Sequence, residues 1–236
     1  MIHEYSKTGT LHIAANEENQ DVIKFEQQND YAVISLADGV SSCAEAKCGA
    51  EVASQAITNL LLKNSTFFFD LDEKQVAEFV IAHVLYELKQ KAREADKDIN
   101  EYSSTLASVL IDKKRERMLC FNLGDSLIMS IGNGKSRILS MPSDTLDGCC
   151  VTTTSNAAGM ADVKKAKTHQ NDSVIIFSDG AWQCMFMGNR PDTRVKAMLD
   201  ASDTSGLREY LDAHECPDDH SFVCLNIKPK YRRKSA

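Results

Sequence analysis

The chain has 236 residues, 43% of them hydrophobic and 26% charged, with a formal net charge of −7. That length allows one large domain or two small ones with a substantial core, and the acidic balance argues against nucleic-acid binding by the molecule as a whole. No apolar run reaches membrane-spanning length, and the opening MIHEYSKTGTLHIA lacks the cationic-then-apolar pattern of a secretory leader, so a cytoplasmic protein without membrane contact is expected.

In chain order, residues 10–14 and 30–37 alternate or run apolar and read as strands, with the polar NEENQD between them. Residues 45–63 read as a helix, because Ala46, Gly49, Val52, Ala53, Ala56, Ile57 and Leu60 recur at steps of three and four. NST breaks it. Residues 72–97 read as a longer helix with Asp72 as N-cap and Val76, Phe79, Val80, Val84 and Leu88 along one face. His83 lies on that face and reads as a core or boundary histidine.

From residue 103 the texture changes to short strand-like runs, STLASVLID, MLCFNLG, SLIMSIG and SRILSM, separated by KKRER, GDS and GNGK. GNGK is a hairpin signal, since Asn and Gly tolerate positive φ. An antiparallel meander follows from this. DSVIIFS and SFVCLNI read as further strands, and residues 180–187, 191–201 and 204–214 as helices. Strands and helices do not alternate regularly, which excludes a doubly wound parallel sheet and favours an α+β layered domain. The basic end, KPKYRRKSA, reads as a solvated tail.

The eight cysteines form no C-x-x-C, and no His pair has zinc-finger spacing. Reduced, mostly buried thiols are the expectation.

Two strands end on the same dipeptide: AVISLAD-Gly at Asp38 and VIIFSD-Gly at Asp179. Asp218 and Asp219 directly precede the last strand, and Asp21 directly precedes VIKF. Strand ends of one sheet meet in space, and carboxylates meeting there repel unless a cation sits between them. Mg²⁺ and Mn²⁺ prefer such oxygen ligands. Gly39 and Gly180, beside Asp38 and Asp179, permit close backbone approach.

These pieces resemble, in order and over nearly the whole chain, the metal-dependent phosphatases of the protein phosphatase 2C type: NQD (19–21), ADGVSS (37–42), SSTL (103–106), NLGDS (122–126), FSDG (177–180) and DDHSFV (218–223). The resemblance implies a central antiparallel β-sandwich flanked by helices in α-β-β-α layers. It implies one catalytic domain over residues 1–228, followed by the tail at 229–236. It also implies two Mn²⁺ or Mg²⁺ ions held by Asp21, Asp38, the Gly39 carbonyl, Asp179 and Asp218, with Asp144 at the place of a third, weaker cation. Asp125 of the GDS turn is expected to accept backbone hydrogen bonds.

The implied activity is hydrolysis of phosphoserine and phosphothreonine by a water activated between the cations, with no cysteine nucleophile. A phosphoprotein substrate, a Ser/Thr kinase in the same pathway and a monomeric state go with it. The chain also departs from the family. Asn16 stands where many members carry a phosphate-gripping Arg, and Val40 where many carry a His after Asp-Gly. The stretch between the meander and FSDG looks short or altered for the family's flap. Gly9 and His12 instead match a bacterial branch with Gly-x-x-His before Gln-Asp, which makes His12 a candidate phosphate contact or proton donor. A catalytically weak or inactive member serving as a binding or regulatory module is the alternative.

Overall fold

The computed structural model describes residues 1–142, 144–145, 148–168, 173–188 and 190–227, with the backbone alone at 144–145 and 148–149. Lys228 and the basic tail at 229–236 lie outside the described residues. Strand β1 (Ile2–Lys7) leads into the short helix α1 (Thr10–Ala15) and then β2 (Asp21–Gln28) and β3 (Tyr31–Asp38). Helices α2 (Ala46–Lys63), α3 (Ser65–Asp70) and α4 (Glu73–Ala95) follow. The meander is β4 (Leu106–Asp112), β5 (Arg117–Leu123), β6 (Leu127–Gly132) and β7 (Lys135–Ser140). After a small ladder of β8 (Asp144–Thr145) with β9 (Gly148–Cys149) come α5 (Ala157–Met160), β10 (Asp162–Lys167) and β11 (Ser173–Phe177). Helix α6 (Asp179–Met185), the ladder of β12 (Phe186–Met187) with β13 (Arg190–Pro191), α7 (Thr193–Ala201), α8 (Thr204–Asp212) and β14 (His220–Asn226) complete the chain.

Ten strands form two five-stranded antiparallel sheets, ordered β1-β14-β11-β6-β7 and β10-β5-β4-β3-β2. Strand alternation explains how they stack. In β3, Ala32, Ile34 and Leu36 face the other sheet, where Val174, Ile176, Val223 and Leu225 meet them. Val33 and Ala37 face the opposite way, against Ala50, Ala53, Ile57 and Leu61 of α2 and Val76, Val80 and Leu88 of α4. On the far side Ile175, Phe177 and Phe222 pack under Val195 and Leu199 of α7 and Leu207 and Leu211 of α8. The result is the expected α+β arrangement, helices–sheet–sheet–helices, with a core at each of three contacts. Full burial of each such side chain is worth roughly 1.5–3 kcal/mol.

Helix α4 starts where expected: Asp72 accepts from Gln75 N–H and the Gln75 side chain returns a bond to Asp72 N–H, a complete capping box. Two local expectations fail. Residues 10–14 are helical, because the chain over Gly9–Leu11 is docked by Thr10 N–H and Leu11 N–H onto the carbonyls of Cys216 and Pro217. The thiols are not all reduced either. Cys184 of α6 is bonded to Cys216, although 32 residues separate them, because α6 packs against the segment that leads into β14. Cys120 and Cys224 do fit the buried-thiol expectation, and burial pushes both thiols up to about 12.

Candidate functional site

Asp21 opens β2 and Asp38 closes β3, and the two are directly opposed across the ladder. Opposed residues point to the same face, so both carboxylates share one end of the sandwich. The chain leaves β3 through Gly39, which forms a bridge to Ser104, while Asp38 O accepts from Thr105 N–H at 2.8 Å and Asp38 N–H donates to Thr105 Oγ1 at 3.1 Å. The SSTL stretch therefore clamps the first Asp-Gly. A Cβ on Gly39 would stand 2.5 Å from the carbonyl oxygen of Ala46 in α2, which is why no larger residue fits there.

The second Asp-Gly lies at the same end. Asp179 is the first residue of α6, and Gly180 N–H donates to its Oδ1 at 2.6 Å. A Cβ on Gly180 would sit 2.2 Å from the carbonyl oxygen of Asp219. Both glycines thus allow a helix and a carboxylate-bearing segment to touch backbone to backbone. Asp218 Oδ1 accepts from Asp219 N–H at 2.8 Å.

The electrostatics mark these groups as one cluster. Burial pushes Asp21 up to about 7; the nearby Ser221 and Ser178 hydroxyls offset part of this, and the charges of Asp219 and Asp179 add to it. Among the described residues neither buried carboxylate oxygen of Asp21 has a hydrogen-bond partner. Burial also raises Asp38 well above the usual carboxylate range, reinforced by Asp21, Asp179, Asp218 and Asp125. Asp179 reaches about 7 through burial and the charges of Asp125 and Asp218, partly offset by Gly180 N–H and a hydrogen bond with Asp38. Asp125, expected to accept backbone hydrogen bonds rather than to bind metal, therefore also belongs to the neighbourhood. Its carbonyl also accepts from Trp182 Nε1 at 2.8 Å, tying the GDS turn to α6.

Asp219 adds its charge to that on Asp21 but gives its carboxylate to other donors. It is fully buried, and its carboxylate accepts from Gly9 N–H at 2.8 Å, Gln20 N–H at 2.6 Å and His12 Nδ1 at 2.8 Å. His12 Nε2 lies 3.1 Å from Ser41 Oγ. Both ring nitrogens of His12 are thus engaged inside the protein. Gly9 is needed because a Cβ would stand 2.3 Å from the Asp218 carbonyl carbon. The Gly-x-x-His pattern is a clasp that holds the NQD turn and the DDH segment together. Lys47 adds to it by donating to the carbonyls of Asn19 at 2.5 Å and Asp21 at 3.2 Å. The Asp144 side chain lies outside the described residues.

Among the described residues no three His, Cys, Asp or Glu side chains stand grouped as a ready metal-binding set. The chemistry of the donors nonetheless fits a hard divalent cation: buried carboxylates whose pKa values are raised by burial and by one another's charge, and two Asp21 oxygens without a hydrogen-bond partner among the described residues.

The family model for Protein phosphatase 2C matches residues 8–213. The chain belongs to the protein phosphatase 2C family. The match takes in Gly9, His12 and both Asp-Gly pairs and stops short of Asp218, whose place at the same end is supplied by the structure. Solved structures superpose on this chain over almost their full length. A bacterial serine phosphatase does so with a TM-score of 0.71 at 14% identity, covering 98% of this chain and 99% of that one. RsbX in complex with magnesium gives 0.64 at 15%, covering 95% and 94%. The serine/threonine phosphatase of S. agalactiae gives 0.63 at 15%, covering 95% and 98%. At these identities the likeness shows the fold. No curated protein matches the chain.

Proposed function

We propose that this protein is a Mn²⁺- or Mg²⁺-dependent phosphatase that removes phosphate from serine and threonine in protein substrates. The observation that carries the reading is the meeting of Asp21 and Asp38, opposed across one ladder, with Asp179, Asp218 and Asp125 close enough to raise their pKa values. Asp21, Asp38, Asp179, Asp218 and the Gly39 carbonyl would hold two cations, with Asp144 at a third, weaker position. When bound, such cations supply Lewis-acid activation of water and neutralise charge on the phosphoryl oxygens.

The chain's own part is positional. Thr105 fixes the Asp38 backbone, Gly180 N–H orients Asp179, and Lys47 pins the carbonyls on either side of Gln20. His12 enters as a positioning residue through Asp219, in place of the phosphate contact or acid that its motif suggested. A cytoplasmic monomer acting on the products of a Ser/Thr kinase fits this reading; among the described residues no helix is long and apolar enough to cross a membrane.

In the purified protein, Mn²⁺ should support hydrolysis of a phosphoserine peptide and EDTA should abolish it. Asp38→Ala and Asp179→Ala should each cut kcat by at least ~10³-fold with the far-ultraviolet spectrum unchanged. Full activity in either variant would refute the assignment. The second reading, a binding module that has lost catalysis, draws on Asn16 in place of the family's phosphate-gripping Arg. It predicts Mn²⁺ binding without turnover in the same assay.

A further inference from the structure

The clasp around His12 contains an arrangement that the carboxylate cluster does not use. Asp219 Oδ2 accepts from His12 Nδ1 at 2.8 Å, and His12 Nε2 lies 3.1 Å from Ser41 Oγ. Asp219 is fully buried and also takes Gly9 N–H and Gln20 N–H, so its carboxylate is an acceptor held in one place. In the neutral ring this fixes the proton on Nδ1 and leaves Nε2 to accept from the Ser41 hydroxyl. A carboxylate, an imidazole and a serine hydroxyl linked in that order make the serine a nucleophile, and the same constellation arises on unrelated folds.

Burial follows the order that this chemistry needs. Asp219 is 0% and His12 7% exposed, whereas Ser41 is exposed and lies in the wall of an open cavity of about 430 Å³. Cys43 N–H donates to Val40 O at 2.8 Å and closes a turn with Ser41 and Ser42 at its centre. Among the described residues neither Ser41 N–H nor Ser42 N–H has a partner. Two backbone donors are therefore available beside the hydroxyl for the oxyanion formed when Ser41 attacks a carbonyl. Glu17 Oε2, 3.7 Å from His12 Nε2, stands near the positive charge that the ring gains on taking the proton. The cavity wall also holds Glu18, Ser42, Lys47 and Glu101, so it offers a long alkyl chain little apolar surface to bury.

We propose that Ser41, His12 and Asp219 form a second catalytic centre, which hydrolyses short-chain carboxylic esters independently of the carboxylate cluster. Ser41 Oγ bonds to the carbonyl carbon as its proton passes to His12 Nε2. The bond from that carbon to the alcohol oxygen breaks, and the alcohol leaves with the proton. Water then attacks the acyl carbon and gives a proton to His12, which returns it to Ser41 Oγ as the carboxylic acid departs.

The test is run in EDTA with p-nitrophenyl acetate as substrate and diisopropyl fluorophosphate as covalent probe. The probe should place one adduct on Ser41, a bond from Oγ to phosphorus formed with loss of fluoride, located by peptide mass spectrometry. Ester hydrolysis should fall in proportion to labelling. Ser41→Ala, at an exposed position, should keep the wild-type urea midpoint, take no label and lose ester hydrolysis by at least about tenfold. His12→Gln keeps a hydrogen-bond donor toward Asp219 but cannot take up the proton, and should slow labelling of Ser41 by ~10²-fold or more. Phosphopeptide turnover enters neither readout, so the phosphatase reading stands or falls separately. Absence of an adduct on Ser41, ester hydrolysis that survives in Ser41→Ala, or equal labelling rates in wild type and folded His12→Gln would overturn the proposal.

Discussion

The Asp219 carboxylate collects hydrogen bonds from Gly9 N–H, Gln20 N–H and His12 Nδ1, while the neighbouring Asp218 turns toward the acidic cluster. Adjacent residues at the entry to a strand point to opposite sides, so one Asp-Asp pair serves two tasks. Removing the buried acceptor strands two backbone donors and a histidine. Asp219→Ala should therefore lower stability by roughly 3–5 kcal/mol in urea denaturation, and Asp219→Asn, which keeps one acceptor oxygen, by about half of that. A purely structural role would change only the unfolding midpoint. A positioning role also weakens Mn²⁺ binding to the folded protein about tenfold, with partial recovery in Asp219→Asn, readable by calorimetry at a temperature where both variants are folded. The resemblance names Asp218, rather than Asp219, as the expected ligand. The partner of His12 was not legible in the sequence, because 207 residues separate it from Asp219 and nothing local marks the contact.

Elements with strong periodicity were readable because one force made them. Helices α2 and α4 bury a continuous apolar stripe, and β3, β4 and β11 are apolar on both faces because each lies between a sheet and a helix layer. Short elements held by tertiary contacts were not. Helix α1 has six residues, too few for a 3.6-residue period to show against a strand's alternation, and it exposes Leu11 and Ile13. The same blindness hid the link between Cys184 in α6 and Cys216 before β14. That cross-link closes a loop across a separation of 32 residues, and chain entropy assigns it roughly 3–4 kcal/mol. Dithiothreitol should lower the urea midpoint of the wild type accordingly and leave that of Cys184→Ser unchanged. Identical midpoints for oxidised and reduced wild type would show that the two sulfurs are not joined in solution.

At the scale of the whole molecule, the acidic cluster sets stability against function. Asp21 and Asp179 are both held near 7 in the fold, against 3.8 for the free side chain. Between those two values the folded chain keeps protons that the unfolded chain has lost, so each unit of rising pH removes up to about 1.4 kcal/mol of stability per group. In EDTA the protein should be more stable at pH 5 than at pH 7.5, and the slope should flatten above pH 7, where the folded groups also ionise. Asp21→Asn, which cannot ionise, should reduce that slope and leave the EDTA-treated variant roughly 1–3 kcal/mol more stable than wild type at pH 7.5, while abolishing Mn²⁺-dependent hydrolysis. A divalent cation reverses the sign. On the proposed function it would bind the deprotonated cluster, so Mn²⁺ should raise Tm far more at pH 7.5 than at pH 5. Wild-type stability that is flat or rising from pH 5 to 7.5 in EDTA would refute this account, as would an equal Mn²⁺ effect at both pH values. The cost of assembling these carboxylates without a cation is what ties the fold to its proposed chemistry, and the pH slope measures that cost directly.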